Sequence, residues 1–145
     1  MTKTENEALA EALAVEHGSV FAYGVVAAFA SPERATLVLE GLAAHRSRRD
    51  FTTSVLQEAG VEPPVAAAGY AMPFPVTDPI AAAQLAAQIE VDAAIAWRGV
   101  VEHAEIAEVR RMGLAAMNDA ATREAHWRIA LGEDPATRAF PGQPA

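Results

Sequence analysis

Apolar residues recur at helical spacing in four long runs of the chain, and every run carries polar side chains in the middle of its apolar face. The first run is Leu9, Leu13, Glu16, Val20, Tyr23, Ala27, and the second is Val38, Leu42, His45, Arg49, Thr52, Leu56. The third is Ala83, Ala87, Glu90, Ala94, Trp97, Val101, and the fourth is Met112, Ala116, Asp119, Arg123, His126, Ala130. Boundary signals bracket most of these runs. Thr4 with Glu7 reads as a capping box opening a helix that closes at Ser31-Pro32. The same dipeptide opens the second helix, with Ser31 as cap and Pro32 at the first helical position, and that helix runs to Gly60. Asp78-Pro79 repeats the cap-plus-proline signal for the third. After His103 no glycine or proline marks a turn before Gly113, so the boundary between the third and fourth helices is hidden.

Residues 60–78 read GVEPPVAAAGYAMPFPVTD, too broken by proline and glycine for a helix and too apolar for a free linker. They are expected to cross the surface of the molecule. An internal repeat locates the hidden turn. An offset of 74 residues (78 minus 4) puts Thr4 on Asp78, Glu16 on Glu90, Tyr23 on Trp97, Ser31 on Glu105 and Arg49-Asp50 on Arg123-Glu124. The third helix should therefore turn into the fourth between His103 and Ile106. The expected architecture is all-α: two antiparallel helical hairpins joined by the crossover, forming one domain over residues 1–145. The tail, residues 132–145, is turn-rich, and Phe140-Pro141-Gly142 is placed to pack back onto the helices.

In an antiparallel hairpin, residues equidistant from the turn lie at one height. Glu16 lies fifteen residues before Ser31 and Arg49 eighteen after it, within about one helical turn of level. Glu90 and Arg123 stand in the same relation about Glu105. The bundle should therefore carry a polar layer at its waist, made of Glu16, Arg49, Glu90 and Arg123, with His45, Thr52, Asp119 and His126 close by.

Composition narrows the chemistry. The chain has 145 residues, 52% hydrophobic but only 6% aromatic, so its core is built from small aliphatic side chains and suits closely packed helices. It has no cysteine, which removes disulfides, thiolate metal sites and cysteine nucleophiles. Eleven Lys and Arg against nineteen Asp and Glu leave a net charge of −8, the wrong sign for a partner that binds phosphate backbones. The longest uncharged helical stretch, from Gly18 to Pro32, falls short of the roughly 18–20 residues that span a bilayer. The acidic N-terminus lacks the basic-then-apolar order of a signal peptide. A cytoplasmic protein without nucleic-acid or membrane partners is expected. No glycine-rich phosphate loop, nucleophile elbow or HExxH zinc motif occurs.

The four-helix pattern with mid-helix carboxylates resembles the ferritin-like superfamily, over Thr4 to Leu131. There two helices each give a Glu and the other two each give Glu-x-x-His to a di-iron or di-manganese centre. More closely, EHGSVFAYG, HRSRRD, GVEPP, the Trp of AIAW, and AHW followed by AFPG look like an actinobacterial ferritin-like domain family of uncharacterised function. The resemblance implies a ferritin-like four-helix bundle in which Glu16 and Glu90 match the single glutamates. The second helix departs from the pattern with Arg49-Phe-Thr-Thr52, and the fourth with Arg123-Glu-Ala-His126. Three of six ligands survive: Glu16, Glu90 and His126. Arginine stays protonated and has no acceptor, so it opposes a cation instead of ligating it. The expected centre is metal-free, with Arg49 and Arg123 paired to Glu16 and Glu90.

Three functional classes follow. The leading one is a non-catalytic ferritin-like scaffold whose degenerate metal site is a structural charge network, with no cofactor. The second is an oxidase or storage protein with a reduced iron, manganese or zinc site of Glu16, Glu90 and His126, or with His45 taking part. The third is a binder that holds a small acidic ligand with an arginine in the cleft between the hairpins. Tyr23 and Trp97 read as core filling, and the basic patch Arg46 to Arg49, offset by Asp50, as a partly solvated face. The limited core and the apolar run from Val65 to Val76 point to a homodimer, with Tyr70, Met72, Phe74 and Pro75 as candidate contacts.

Overall fold

Thr4 opens the first helix, α1 (Glu5–Phe29), through a complete capping box: its hydroxyl accepts from the Glu7 amide, and the Glu7 carboxylate accepts from the Thr4 amide. The computed structural model describes residues 3–144. Ser31 and Pro32 lead into a short 3₁₀ turn, Pro32–Arg34, before α2 (Ala35–Glu58) begins. Ser31 was expected to cap with its side chain, but makes no such hydrogen bond, because the proline-led turn already closes through Arg34 N–H to Ser31 O at 3.0 Å. α2 stops at Gly60, whose φ of +75° lets Val61 N–H bond back to Leu56 O and Gly60 N–H to Gln57 O. Asp78 caps α3 (Pro79–His103) by accepting from Ala81 N–H at 2.8 Å, with Pro79 at the first helical position. The turn to α4 (Ala107–Ala130) falls at residues 104–106, where the internal repeat places it.

The architecture is an all-α four-helix bundle with a long loop between α2 and α3. The helix pairs α1/α2 and α3/α4 form its two hairpins. α1 packs on both α2 and α3, and α3 on α4, whereas α2 and α4 barely meet. Two large apolar clusters fill much of the interior, and a small one of Ala93, Ala94 and Ala120 lies between α3 and α4. The foot holds Leu9, Leu13, Leu56, Trp97, Val100 and Val109, and the head holds Tyr23, Val26, Val38, Leu85, Ile89 and Trp127. Close helix approach depends on two glycines. The Tyr23 ring lies directly on Gly41, and Val100, Val101 and the Trp97 carbonyl lie against Gly113.

The phase of α4 differs from the expected run. Its buried face is Val109, Gly113, Ala116, Ala120, Glu124 and Trp127, about one residue round from the Met112-to-Ala130 series. By length and composition α1 as a whole is long and apolar enough to cross a membrane, although its uncharged stretch is short. Here it packs on α2 and α3 with Glu16 on its buried face.

The crossover climbs the α1/α3 face. The His17 ring bonds to Pro64 O at 3.0 Å, the Tyr70 ring packs tilted against Phe21 with centroids 5.4 Å apart, and Met72, Phe74 and Val76 pack on the head cluster. In the tail, Gly142 (φ +78°) is buried where a Cβ would collide with Arg98 and the Ala94 carbonyl, while Phe140 stays 71% exposed.

Candidate functional site

α1, α2 and α3 each place one ionisable side chain at the waist: Glu16, His45 and Glu90, which are 1%, 0% and 0% exposed. His45 lies between the two carboxylates. Its Nδ1 donates to Glu16 Oε2 at 2.5 Å, and its Nε2 donates to Glu90 Oε1 at 2.9 Å. Trp97 Nε1 donates to the other Glu16 oxygen at 2.8 Å. The second Glu90 oxygen accepts from Tyr23 Oη at 2.5 Å and from Arg123 Nε at 3.0 Å. Trp127 Nε1 completes the set by donating to Tyr23 Oη at 3.1 Å. Among the described residues no buried side-chain nitrogen or oxygen lacks a partner.

The charges balance, two carboxylates against one imidazolium and one guanidinium. Burial alone disfavours the charged His45 ring, but its hydrogen bonds to Glu16 and Glu90, with their negative charges, outweigh burial and raise its pKa to about 9. Burial likewise disfavours the Glu90 carboxylate. The hydrogen bond and charge of His45, the charge of Arg123 and the Tyr23 hydroxyl overcome it, so Glu90 titrates below the ordinary range. Desolvation, reinforced by the Glu90 charge, pushes the Tyr23 phenol well above its usual value and keeps it a donor.

Glu16, His45, Glu90 and Arg123 come together in this layer, and the other sequence candidates do not. Arg49 was expected on Glu16 but bonds to Asp50 at 2.9 Å on the surface. His45, fourteen residues after Ser31 and so nearly level with Glu16, takes the place beside that carboxylate, and Trp97 takes its other oxygen, so no acceptor is left for Arg49. Asp119 is exposed and pairs with Arg48 at 3.1 Å, and His126 is exposed beside the α2/α4 seam. Both are displaced by the rotated phase of α4. Thr52 is buried but bonds back to Arg48 O at 2.6 Å. The reduced ligand set Glu16, Glu90 and His126 is therefore not assembled.

Sequence reasoning missed the donor roles of Tyr23, Trp97 and Trp127, read as filling or not at all. For Tyr23 and Trp97 the signal was a phenol and an indole, each two helical turns beyond a mid-helix glutamate on the same face. It also missed Glu124, buried on α4 and held by Arg138 at 2.7 Å and by Arg128, which ties the tail to the bundle.

For metal chemistry the donor set is unfavourable. All four carboxylate oxygens already accept from N–H or O–H groups, and a protonated ring occupies the space between them. Among the described residues no group of three or more His, Cys, Asp or Glu is arranged to hold a metal ion.

The comparisons with known proteins agree with this all-helical picture. A family model described as Domain of unknown function (DUF4439) matches residues 8–145. The crystal structure of a conserved hypothetical protein, Rv2844, from Mycobacterium tuberculosis matches with a TM-score of 0.87 at 44% identity, covering 94% of this chain and 96% of that one. No curated protein matches the chain. The chain belongs to the DUF4439 family.

Proposed function

We propose that this protein is a non-catalytic, ferritin-like scaffold in which a buried imidazolium stands where a ferritin-like bundle would hold its metals. The observation that carries this reading is the position of His45, with one ring nitrogen on each carboxylate. A ring protonated to about pH 9 supplies the positive charge that two carboxylates require, and Arg123 supplies the rest. Glu16, His45 and Glu90 are shut from solvent with every buried polar atom partnered, leaving no carboxylate or imidazole to meet a substrate or activate a water. Activity then resides in the surface of the bundle. Assembly as a homodimer is part of this proposal, on a face other than the crossover, since Tyr70, Met72 and Phe74 pack on the chain's own helices.

The test is metal content. Protein made in medium supplemented with iron, manganese and zinc and purified without chelator should carry none of them in stoichiometric amount, and Mn²⁺ or Zn²⁺ should leave its melting temperature unchanged. Stoichiometric metal that disappears on Glu90→Ala would overturn the reading.

A further inference from the structure

The two hairpins are closed on the α1/α3 side by the crossover but left apart between α2 and α4, and that seam is a groove with two contrasting halves. At the foot a cavity of about 730 Å³ is walled by Leu9, Phe51, Val55, Val109 and Met112. At the waist a second cavity, about 400 Å³, is lined by Ser47, Arg48, Phe51, Asp119 and Arg123. Arg48 and Phe51 belong to both, so the halves are continuous. Phe51 is 57% exposed over the join, an aromatic ring that the fold itself does not bury.

The polar groups give the groove a direction. Arg123 uses Nε on Glu90, and among the described residues its guanidinium makes no second side-chain hydrogen bond. Arg48 stands above the Trp97 ring at 5.9 Å and gives one Nη to Asp119 at 3.1 Å, so the waist is neutral overall, with each arginine paired to one carboxylate, but keeps spare guanidinium donors facing the groove. The foot is rimmed by Glu5, Glu58 and Glu108, with Arg111 opposing them. The spare guanidinium donors therefore offer an anionic group its hydrogen bonds at the waist, the acidic rim disfavours it at the foot, and the space between is apolar. From Arg48 to Glu58 along α2 is about 15 Å at the helical rise, the length of a medium acyl chain.

We infer that the α2/α4 groove binds an amphiphilic anion, a carboxylate with an unbranched apolar chain, its head between Arg48 and Arg123 and its chain laid along Phe51, Val55, Val109 and Met112. The site is in the size range of small-molecule pockets and joins an apolar wall to a few placed donors. It goes beyond the metal-free reading of the waist and stands independently of it: the groove variants below leave Glu16, His45 and Glu90 intact.

Dodecanoate, titrated below its micellar concentration by calorimetry, should bind the intact protein at one site and change the Trp97 fluorescence. Acetate, which has the head without the chain, and dodecyltrimethylammonium, which has the chain with the opposite head, should bind at least about tenfold more weakly. Arg48→Gln and Phe51→Glu, both at half-buried or exposed positions, should each weaken dodecanoate by about tenfold or more with unchanged circular dichroism. Three results would overturn the inference: no saturable dodecanoate binding, equal binding of the cationic amphiphile, or affinities within about twofold of wild type in both variants.

Discussion

Protonation of His45 ties the folding of this chain to pH, because the ring is fully buried and both of its nitrogens meet carboxylates. Its folded pKa, about 9, lies above the ordinary 6.5. The stabilisation is therefore complete below pH 6.5, where both folded and unfolded chains hold the proton, and is lost as pH rises through 9. Glu90 runs the other way: its folded pKa is depressed, so its contribution is present above the ordinary 4.5 and is lost as pH falls through the folded value. Stability should be greatest between these limits and fall by about 3 kcal/mol from pH 6.5 to above 9, since each tenfold gain in proton affinity on folding is worth about 1.4 kcal/mol. Urea denaturation at several pH values measures this, and the alkaline slope should vanish in His45→Gln; a flat wild-type profile would refute it. Sequence alone placed His45 beside the layer and not at its centre. Counting residues from Ser31 gave Arg49 a tolerance of a full turn, and helical spacing counted from Met112 set the phase of α4 about one residue off. The arginine that does reach the interior, Arg123, sits beside the buried stripe and reaches Glu90 from its edge.

Helix ends divide into those held by neighbours in sequence and those held from afar. Thr4, Asp78 and Gly60 find their partners within a few residues, so their roles are visible in a short stretch of text. The α3/α4 turn is different: Ile106 offers no capping side chain, and the Glu105 and Ile106 amides bond to Glu5 Oε1 at 2.9 and 3.0 Å, from the first turn of α1. The cap lies 100 residues away in sequence, which is why only the internal repeat revealed the boundary. One carboxylate thus serves two helices, favouring the α1 N-terminus while satisfying two amides at the α4 N-terminus. Glu5→Ala should cost about 1–2 kcal/mol and release the Glu105 and Ile106 amides to faster hydrogen exchange. Unaltered exchange at those two amides would show that the turn holds without the distant cap.

At the scale of the whole molecule the crossover is what makes the bundle asymmetric. α2, α3 and the loop all pack against α1, and the opposite seam between α2 and α4 is left without a cover. The run from Val65 to Val76 looked in sequence like surface awaiting a second copy. In the structure its side chains divide. Val65 is 87% exposed, whereas Tyr70 rests on Phe21 and Gly18 and accepts from the Ala67 amide through its hydroxyl at 2.9 Å. Phe74 and Met72 extend the head cluster. An apolar loop and an apolar interface have the same composition, and the residues of the loop contain nothing that tells which surface it covers. The expected consequence concerns stability first: the double variant Tyr70→Ser, Phe74→Ser removes two half-buried rings from the chain's own fold and should lower its stability by roughly 3–4 kcal/mol. The melting temperature should drop by several degrees while the mass by light scattering, whatever its wild-type value, stays the same. A lower mass with an unchanged melting transition would place the crossover in a contact between copies instead.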